Sequence, residues 1–271
     1  MTRIPKCIYT YWDTTPPPLV SACLESMRQR SGCKVVVLNK ETAKSMLALP
    51  DNFDTLNPAL QSDYVGVYVI SKFGGVWMDA SCAVFASLEQ VFDFESSLVQ
   101  GWGQPVHPSM SSNVMEAWCF ASPRNHSLLS KWATILHNAA PDVEKYCKRI
   151  KRLKLPNKPW SSYFMAYLAQ MDARMQTFKS NKRSKRKRHT RVPPAIDAGI
   201  HLKSSIARGM PFCFMHFDTS AGWGSFDQDI ARLLSLRPRE IKSFIKITST
   251  YRRMIKLKPF LDWIALPPAK K

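Results

Sequence analysis

Residues 59–81 read A-L-Q-S-D-Y-V-G-V-Y-V-I-S-K-F-G-G-V-W-M-D-A-S, and the pattern changes period partway along. From Ala59 to Phe73, the residues Leu60, Tyr64, Val67, Tyr68 and Ser71 recur near one face at helical spacing, which predicts a helix. Gly74-Gly75 stops it, and Val76-Trp77-Met78 enters a strand that ends at Asp79. A helix feeding a buried strand through two glycines is one unit of a strand–helix alternation.

The alternation extends in both directions. Cys7 to Trp12 is an apolar and aromatic run after Pro5, which predicts a buried strand. Pro16-Pro17-Pro18 breaks the chain, and a helix follows over Leu19 to Arg30, closed by Ser31-Gly32. Lys34 to Leu38 is β-branched and reads as a second strand, with a short helix at Thr42 to Leu47. Downstream, Val114 to Ala121 reads as a strand, Asn125 to Lys151 as helix broken at Pro141, and Trp160 to Phe178 as an amphipathic helix. This order favours an α/β fold with a largely parallel sheet, in which ligands bind beyond the carboxyl ends of the strands. Asp79 would sit at such an end.

The segment Gly74 to Ser81 has a chemical logic. Adjacent glycines let backbone approach a bulky anionic ligand, and a carboxylate at a strand end offers a hard oxygen for Mg²⁺ or Mn²⁺. Such a cation could bridge to a diphosphate and neutralise its charge on departure. Read alone, the same residues are a turn followed by a strand with a capping aspartate.

Two separated motifs in register distinguish these readings. Ile4-Pro5-Lys6-Cys7-Ile8-Tyr9-Thr10-Tyr11-Trp12 resembles the I-P-K-x-I-[HWY]-x-x-W opening of glycosyltransferase family 32, which includes capsular polysaccharide synthesis proteins and the DXD sugar-binding transferases. Gln61-Ser62-Asp63-Tyr64, then the helix, then Lys72 to Ser81, resembles that family's S-D-x-x-R … Y-G-G-[IV]-W-x-D-x-[DTS] block. Pro18-Leu19-Val20, Cys23 and Ser26 also match, and the resemblance is clear over residues 4–85. It implies a GT-A, Rossmann-like nucleotide-sugar-binding domain over residues 1–225, with a basic loop or insertion at 179–192 and a basic helical extension over 226–271.

From the resemblance come the expected roles. Asp79, the first carboxylate of the D-x-D, would be catalytic and a metal ligand; Asp63 would hydrogen-bond donor-sugar hydroxyls. Trp12 would stack on the donor's base, with Gly74, Gly75 and Ser81 lining the donor site. His216, in His216-Phe217-Asp218-Thr219-Ser220-Ala221-Gly222-Trp223, would complete the metal shell, as in the late H-x-x-x-[GS]-x-W segment of related transferases. Two positions depart from the pattern. Gly66 stands where the arginine is expected, and Ser81 stands at the second aspartate, as is common in the capsular branch. Gly101 to Gln104, Asn113, Glu116 and Trp118 follow the donor block and suit an acceptor cleft, but nothing in the sequence gives them roles.

The expected activity is therefore retaining transfer of a hexose from a UDP- or GDP-linked donor to a surface-polysaccharide, glycan or glycolipid acceptor, with a divalent cation. The departures at Gly66 and Ser81 keep open a catalytically silent, transferase-like binding or scaffold protein. A third reading is a basic nucleic-acid-binding protein. The chain of 271 residues carries a net charge of +19. Residues 1–100 hold 8 Lys+Arg and 10 Asp+Glu, a balance of −2, so residues 101–271 carry +21. Eight of the thirteen residues Lys179 to Arg191 are Lys or Arg. Aromatics are not interleaved there and no DNA- or RNA-binding signature accompanies the run, which argues against nucleic acid as a partner. The tail from Ile230 to Leu266, read as helical with basic faces, could instead hold the protein against an anionic leaflet. Seven scattered cysteines without a C-x-x-C pair, and no signal-peptide-like or membrane-spanning run, lead to the expectation of a cytoplasmic protein, peripheral at most.

Overall fold

Every residue of the strand that follows Gly74, β3 (Gly75–Met78), is buried, and the fold is laid out around it. A computed structural model of the chain describes residues 3–105, 113–151, 165–181, 200–204 and 244–246. The main strands are β1 (Cys7–Tyr11), β2 (Lys34–Leu38), β3, β5 (Val99–Pro105), β6 (Asn113–Ser122) and β7 (Ile200–Ser204), in the order β2-β1-β3-β6-β5-β7. β6 alone runs against its neighbours, so the sheet is mixed rather than nearly all parallel. A smaller pair joins β4 (Cys82–Val84) to β8 (Phe244–Lys246). β8 lies in the tail read as helical; there the backbone is extended and pairs along β4.

Helices cover both faces. On one side pack α3 (Pro58–Phe73), α4 (Ser127–Ala139) and α6 (Met165–Asn181), around Trp77, Tyr64, Phe120 and Trp132. On the other lies α1 (Pro18–Arg30), whose Val20, Leu24 and Met27 meet Ile8, Val76 and Met78. The remaining helices are α2 (Lys40–Met46) and α5 (Val143–Lys151); a 3-10 turn at Ala140–Asp142 separates α4 from α5 around Pro141, where the sequence predicts a break. The helix layer is tied internally by buried hydrogen bonds. Tyr64 Oη donates to Leu136 O at 3.0 Å, and Trp132 Nε1 donates to Ala166 O at 2.9 Å. Each contributes about 1 kcal/mol net, and losing one partner would cost more than that.

α3 starts where the sequence directs it. Asn57 caps it by accepting from Leu60 N–H at 2.9 Å, and Pro58 occupies the first turn, where its missing N–H is harmless. The helix ends at Gly74, with φ +68°. A β-carbon there would lie 2.6 Å from Arg124 N, and one on Gly75, with φ +106°, would lie 2.5 Å from Cys7 O. Both glycines are required by left-handed backbone and by close packing. They also sit at the amino end of β3, about 13 Å of strand away from Asp79. The space beside both α-carbons is filled by the protein's own backbone.

Because strain and overlap coincide at Gly75, Gly75→Ala should destabilise the fold by about 3 kcal/mol or more. Urea unfolding followed by circular dichroism would measure it; a change below about 0.5 kcal/mol would show that the turn tolerates a side chain.

Candidate functional site at the carboxyl edge of the sheet

β3 delivers Asp79 to the carboxyl edge with its backbone fixed on two sides. Its N–H donates across to Trp118 O at 2.9 Å, and its carbonyl accepts from Cys82 N–H at 3.0 Å, closing a β-turn over Ala80 and Ser81. Aspartate suits the first position of such a turn, so the residue serves the fold as well as any ligand. Ser81 is the third residue of the turn and is buried.

Trp12 reaches the same edge from the adjacent strand. Tyr9 is level with Trp77 in the parallel β1–β3 pair, so β1 ends at the height of Asp79. The Trp12 N–H donates to Leu38 O at 2.9 Å, and its half-buried ring packs on the α1 side of the core. Beside it Asp13 accepts from the Lys40 N–H at 2.8 Å and pairs with Lys40 Nζ at 3.3 Å, which fixes the loop after β1. Tyr11 Oη donates to Gln61 Oε1 at 3.2 Å, and Gln61 Nε2 donates to Phe53 O at 3.0 Å, docking the start of α3 at this edge. Burial, with Asp13 and Asp54 adding to it, pushes the Tyr11 phenol up to about 12, so it stays a donor.

Asp63 is brought to the same end by helix geometry. α3 runs back along β3, so residues earlier in the helix lie nearer the strand's carboxyl end. Gly66 marks the register: a β-carbon on it would lie 2.5 Å from Trp77 Cε2 and 2.6 Å from Cδ2. Asp63 lies about one helical turn before Gly66, and Asp79 two strand residues after Trp77. In this chain the space beside Gly66 belongs to the buried Trp77 indole, which leaves no room for a longer side chain.

The structure adds two groups that the sequence gave no role. Along the β5–β6 pair, Gly101 faces Phe120 but Gly103 faces Met115, so the four residues Glu116 to Cys119 stand opposite Trp102 alone. That bulge re-aims β6 where β3 has ended. Glu116, on the bulge, is 5% exposed and accepts from Tyr167 Oη of α6 at 2.7 Å. The Tyr167 phenol is held well above its ordinary range by burial first, then by the nearby carboxylates of Glu116 and Asp63. Glu116 and Tyr167 therefore meet from a bulged strand and a helix. No spacing rule predicts this, because it depends on the bulge and on how α6 docks.

Some expectations lie outside the described residues: His216, Asp218 and Trp223, the basic run beyond Asn181, and all of the tail except β8. Among the described residues no group of three or more His, Cys, Asp and Glu side chains is placed to hold a metal. The donor set here is one strand-end carboxylate with a neighbouring hydroxyl. That fits a hard cation held mainly by substrate phosphates and water, and does not fit a cage built by protein alone. Among the described residues no helix is long and apolar enough to cross a membrane.

Comparison with known proteins follows the same lines. Residues 2–148 match the model of the family described as capsular polysaccharide synthesis protein. The chain belongs to this family, the same one that its opening and Gly-Gly motifs resemble, and it is a glycosyltransferase of that kind with an α/β fold built on a mixed sheet. No curated protein matches it significantly in sequence. Among solved structures it is similar to the PaToxG glycosyltransferase, at 11% identity and TM-score 0.43, covering 66% of this chain and 73% of that one. It is similar also to the apo-form glycosyltransferase GlyE of Streptococcus pneumoniae TIGR4, at 11% identity and TM-score 0.44, covering 97% of this chain and 61% of that one. A third likeness is to the galactosyltransferase LGTC in complex with donor and acceptor sugar analogues, at 12% identity and TM-score 0.34, covering 92% of this chain and 100% of that one.

The Gly66 contact predicts that restoring the family's arginine will harm this protein. Gly66→Arg should cost at least about 2 kcal/mol in urea unfolding and give no gain in activity, since Trp77 must be displaced to admit it. A stable, more active G66R would overturn the packing explanation.

Proposed function

We propose that this chain is a retaining glycosyltransferase that moves a hexose from a UDP- or GDP-linked donor to a glycan or lipid-linked acceptor, with the donor held at the carboxyl edge between β1 and β3. The observation that carries this reading is the placement of Asp79: its backbone is fixed on two sides at the end of a buried strand, on the same edge as Trp12 and Asp63. A strand end fixed before the ligand arrives limits the reorganisation left to its carboxylate, and that favours electrostatic stabilisation of a departing diphosphate.

In this reading Trp12 offers a ring face to the base, and Asp63 accepts hydrogen bonds from sugar hydroxyls. Asp79, with His216 of the H-x-x-x-[GS]-x-W-like segment, would hold a Mn²⁺ or Mg²⁺ ion. When bound, that ion supplies positive charge against the β-phosphate as it leaves. The Ser81 hydroxyl is a weaker ligand than a carboxylate, so the phosphates carry more of the coordination here. For the transfer itself, the bond from the anomeric carbon to the diphosphate oxygen breaks as the acceptor hydroxyl bonds to the same face. The acceptor's proton passes to the departing diphosphate. The protein then contributes positioning and charge compensation.

The excess of +21 on residues 101–271 supports an acidic partner outside the donor site, and a lipid-linked acceptor at an anionic leaflet fits it. Vesicles containing phosphatidylserine should pellet the protein at low salt, and phosphatidylcholine vesicles should not. Equal pelleting by both would remove this partner from the proposal.

The central test is a panel of UDP-glucose, UDP-galactose, UDP-N-acetylglucosamine and GDP-mannose, read by thermal shift with and without Mn²⁺ and then by donor turnover. One donor should stabilise the wild type only with the ion present, and Asp79→Ala should abolish that shift and lower turnover on the order of 100-fold or more. A donor-induced shift and turnover that persist in D79A would sink the assignment. A protein that binds a donor but turns none over would favour the silent, transferase-like alternative.

A further inference from the structure

β4 leaves directly from the turn that carries Asp79, and both of its edges are occupied. Toward α1, the Val84 N–H donates to Ser26 Oγ at 2.9 Å and the Val84 carbonyl accepts from Arg30 Nη1 at 3.3 Å. Along the other edge lies β8, antiparallel, with Phe244 opposite Val84, Ile245 opposite Ala83 and Lys246 opposite Cys82. Backbone groups point to alternate sides along such a strand. Val84 turns its pair toward α1, and the Cys82 N–H turns back to Asp79 O at 3.0 Å, so Ala83 is the residue left to exchange hydrogen bonds with β8. Cys82 and Lys246 then form one of the closely spaced pairs, with α-carbons about 4.5 Å apart.

Because β8 is antiparallel to β4, it runs toward the Asp79 turn, and Lys246 is its residue nearest to that turn. Cys82 closes the turn as its fourth residue, so its α-carbon lies within about 7 Å of that of Asp79. The register therefore sets the Lys246 backbone within about 12 Å of the Asp79 backbone. Lysine carries its charge on a flexible four-carbon stem and binds phosphate as a point charge. At the same edge Lys40 is paired with Asp13 at 3.3 Å, and residues 1–100 as a whole sum to −2. We propose that Lys246 binds the diphosphate of the donor, so that the late strand β8 brings positive charge from the basic part of the chain to the turn that carries Asp79. The proposal rests on the donor-site reading of Asp79.

The test uses the full-length protein and hydrolysis of the same four donors with Mn²⁺, inhibited by the nucleoside or by the nucleoside diphosphate of the preferred donor's base. Lys246→Met, Lys246→Gln and Lys246→Arg are compared with the wild type and with Asp79→Ala. Lys34→Met serves as a control, because it removes an exposed lysine at the amino end of β2, the far end of the sheet. K246M and K246Q should raise the donor KM and weaken inhibition by the diphosphate about tenfold each, the loss of one charge-assisted contact. Inhibition by the nucleoside should change less than about twofold, since it has no phosphate to lose. K246R keeps the charge and should recover most of the loss, and K34M should behave as the wild type. A purely structural role would weaken nucleoside and diphosphate alike.

Wild-type KM and diphosphate inhibition in K246M and K246Q, or equal weakening of both inhibitors, would overturn the role of Lys246 alone, provided that D79A has lost the donor. Failure of both variants to fold, read by circular dichroism, would make Lys246 part of the scaffold and overturn the proposal as well. D79A that binds and turns over the donor normally would overturn the donor-site reading instead, and the proposal with it. The same holds if the wild type hydrolyses none of the four.

Discussion

Trp77 lying over Gly66 is the contact on which the arrangement of the site depends. The indole is fully buried between β3 and α3, in the space that any β-carbon at position 66 would enter. Burying a tryptophan removes roughly 200 Å² from water, worth about 5 kcal/mol. Against this, the indole N–H has no hydrogen-bond partner among the described residues, a cost of about 1–3 kcal/mol. Packing wins, and the helix is drawn close to the strand at that one height. Asp63 and Asp79 are then carried to the same edge by the regular rise of a helix and a strand running in opposite directions.

The alternation of strands and helices was legible because the period of the apolar residues changes cleanly at glycines and prolines. β1, β2, β3 and β6, and α1, α3 and α4, lie within a residue or two of where that pattern puts them. β4 and β5 were not legible, for different reasons. Three residues, Cys82 to Val84, are too few to show a period. In β5, Gly101, Gly103 and Pro105 interrupt the run, and only pairing on both edges makes it a strand. The bulge at Glu116–Cys119 is a fact about pairing between two strands, and neither strand's own pattern contains it. For the same reason Glu116 could be noticed but given no role, and Tyr167 could not be found at all.

The motif glycines show that a residue type can be read for place without its purpose being fixed. A glycine signals that no side chain fits, and a ligand, a positive φ or a neighbouring chain segment can each be the cause. At Gly74 and Gly75 the causes are backbone torsion and the backbones of Arg124 and Cys7; at Gly66 the cause is Trp77. All three belong to the scaffold. In the proposed reading, the groups offered to a ligand at the carboxyl edge are side chains, Trp12, Asp63 and Asp79.

That distinction bears on how a diphosphate could be accommodated. The glycine backbone lies at the amino end of β3 and Asp79 follows its carboxyl end. The first hundred residues sum to −2, and the carboxylates gathered at the edge would repel phosphate. A nucleoside diphosphate bound there needs positive charge from outside these elements. Two sources that the chain offers are a cation held by Asp79 and the basic residues after position 100, which carry +21. The two differ in their response to salt. A cation coordinated by a carboxylate and phosphate oxygens is screened little, whereas attraction from exposed Lys and Arg fades beyond a Debye length of about 8–10 Å. A donor affinity that depends strongly on Mn²⁺ and weakly on ionic strength is therefore the signature of a site organised by Asp79.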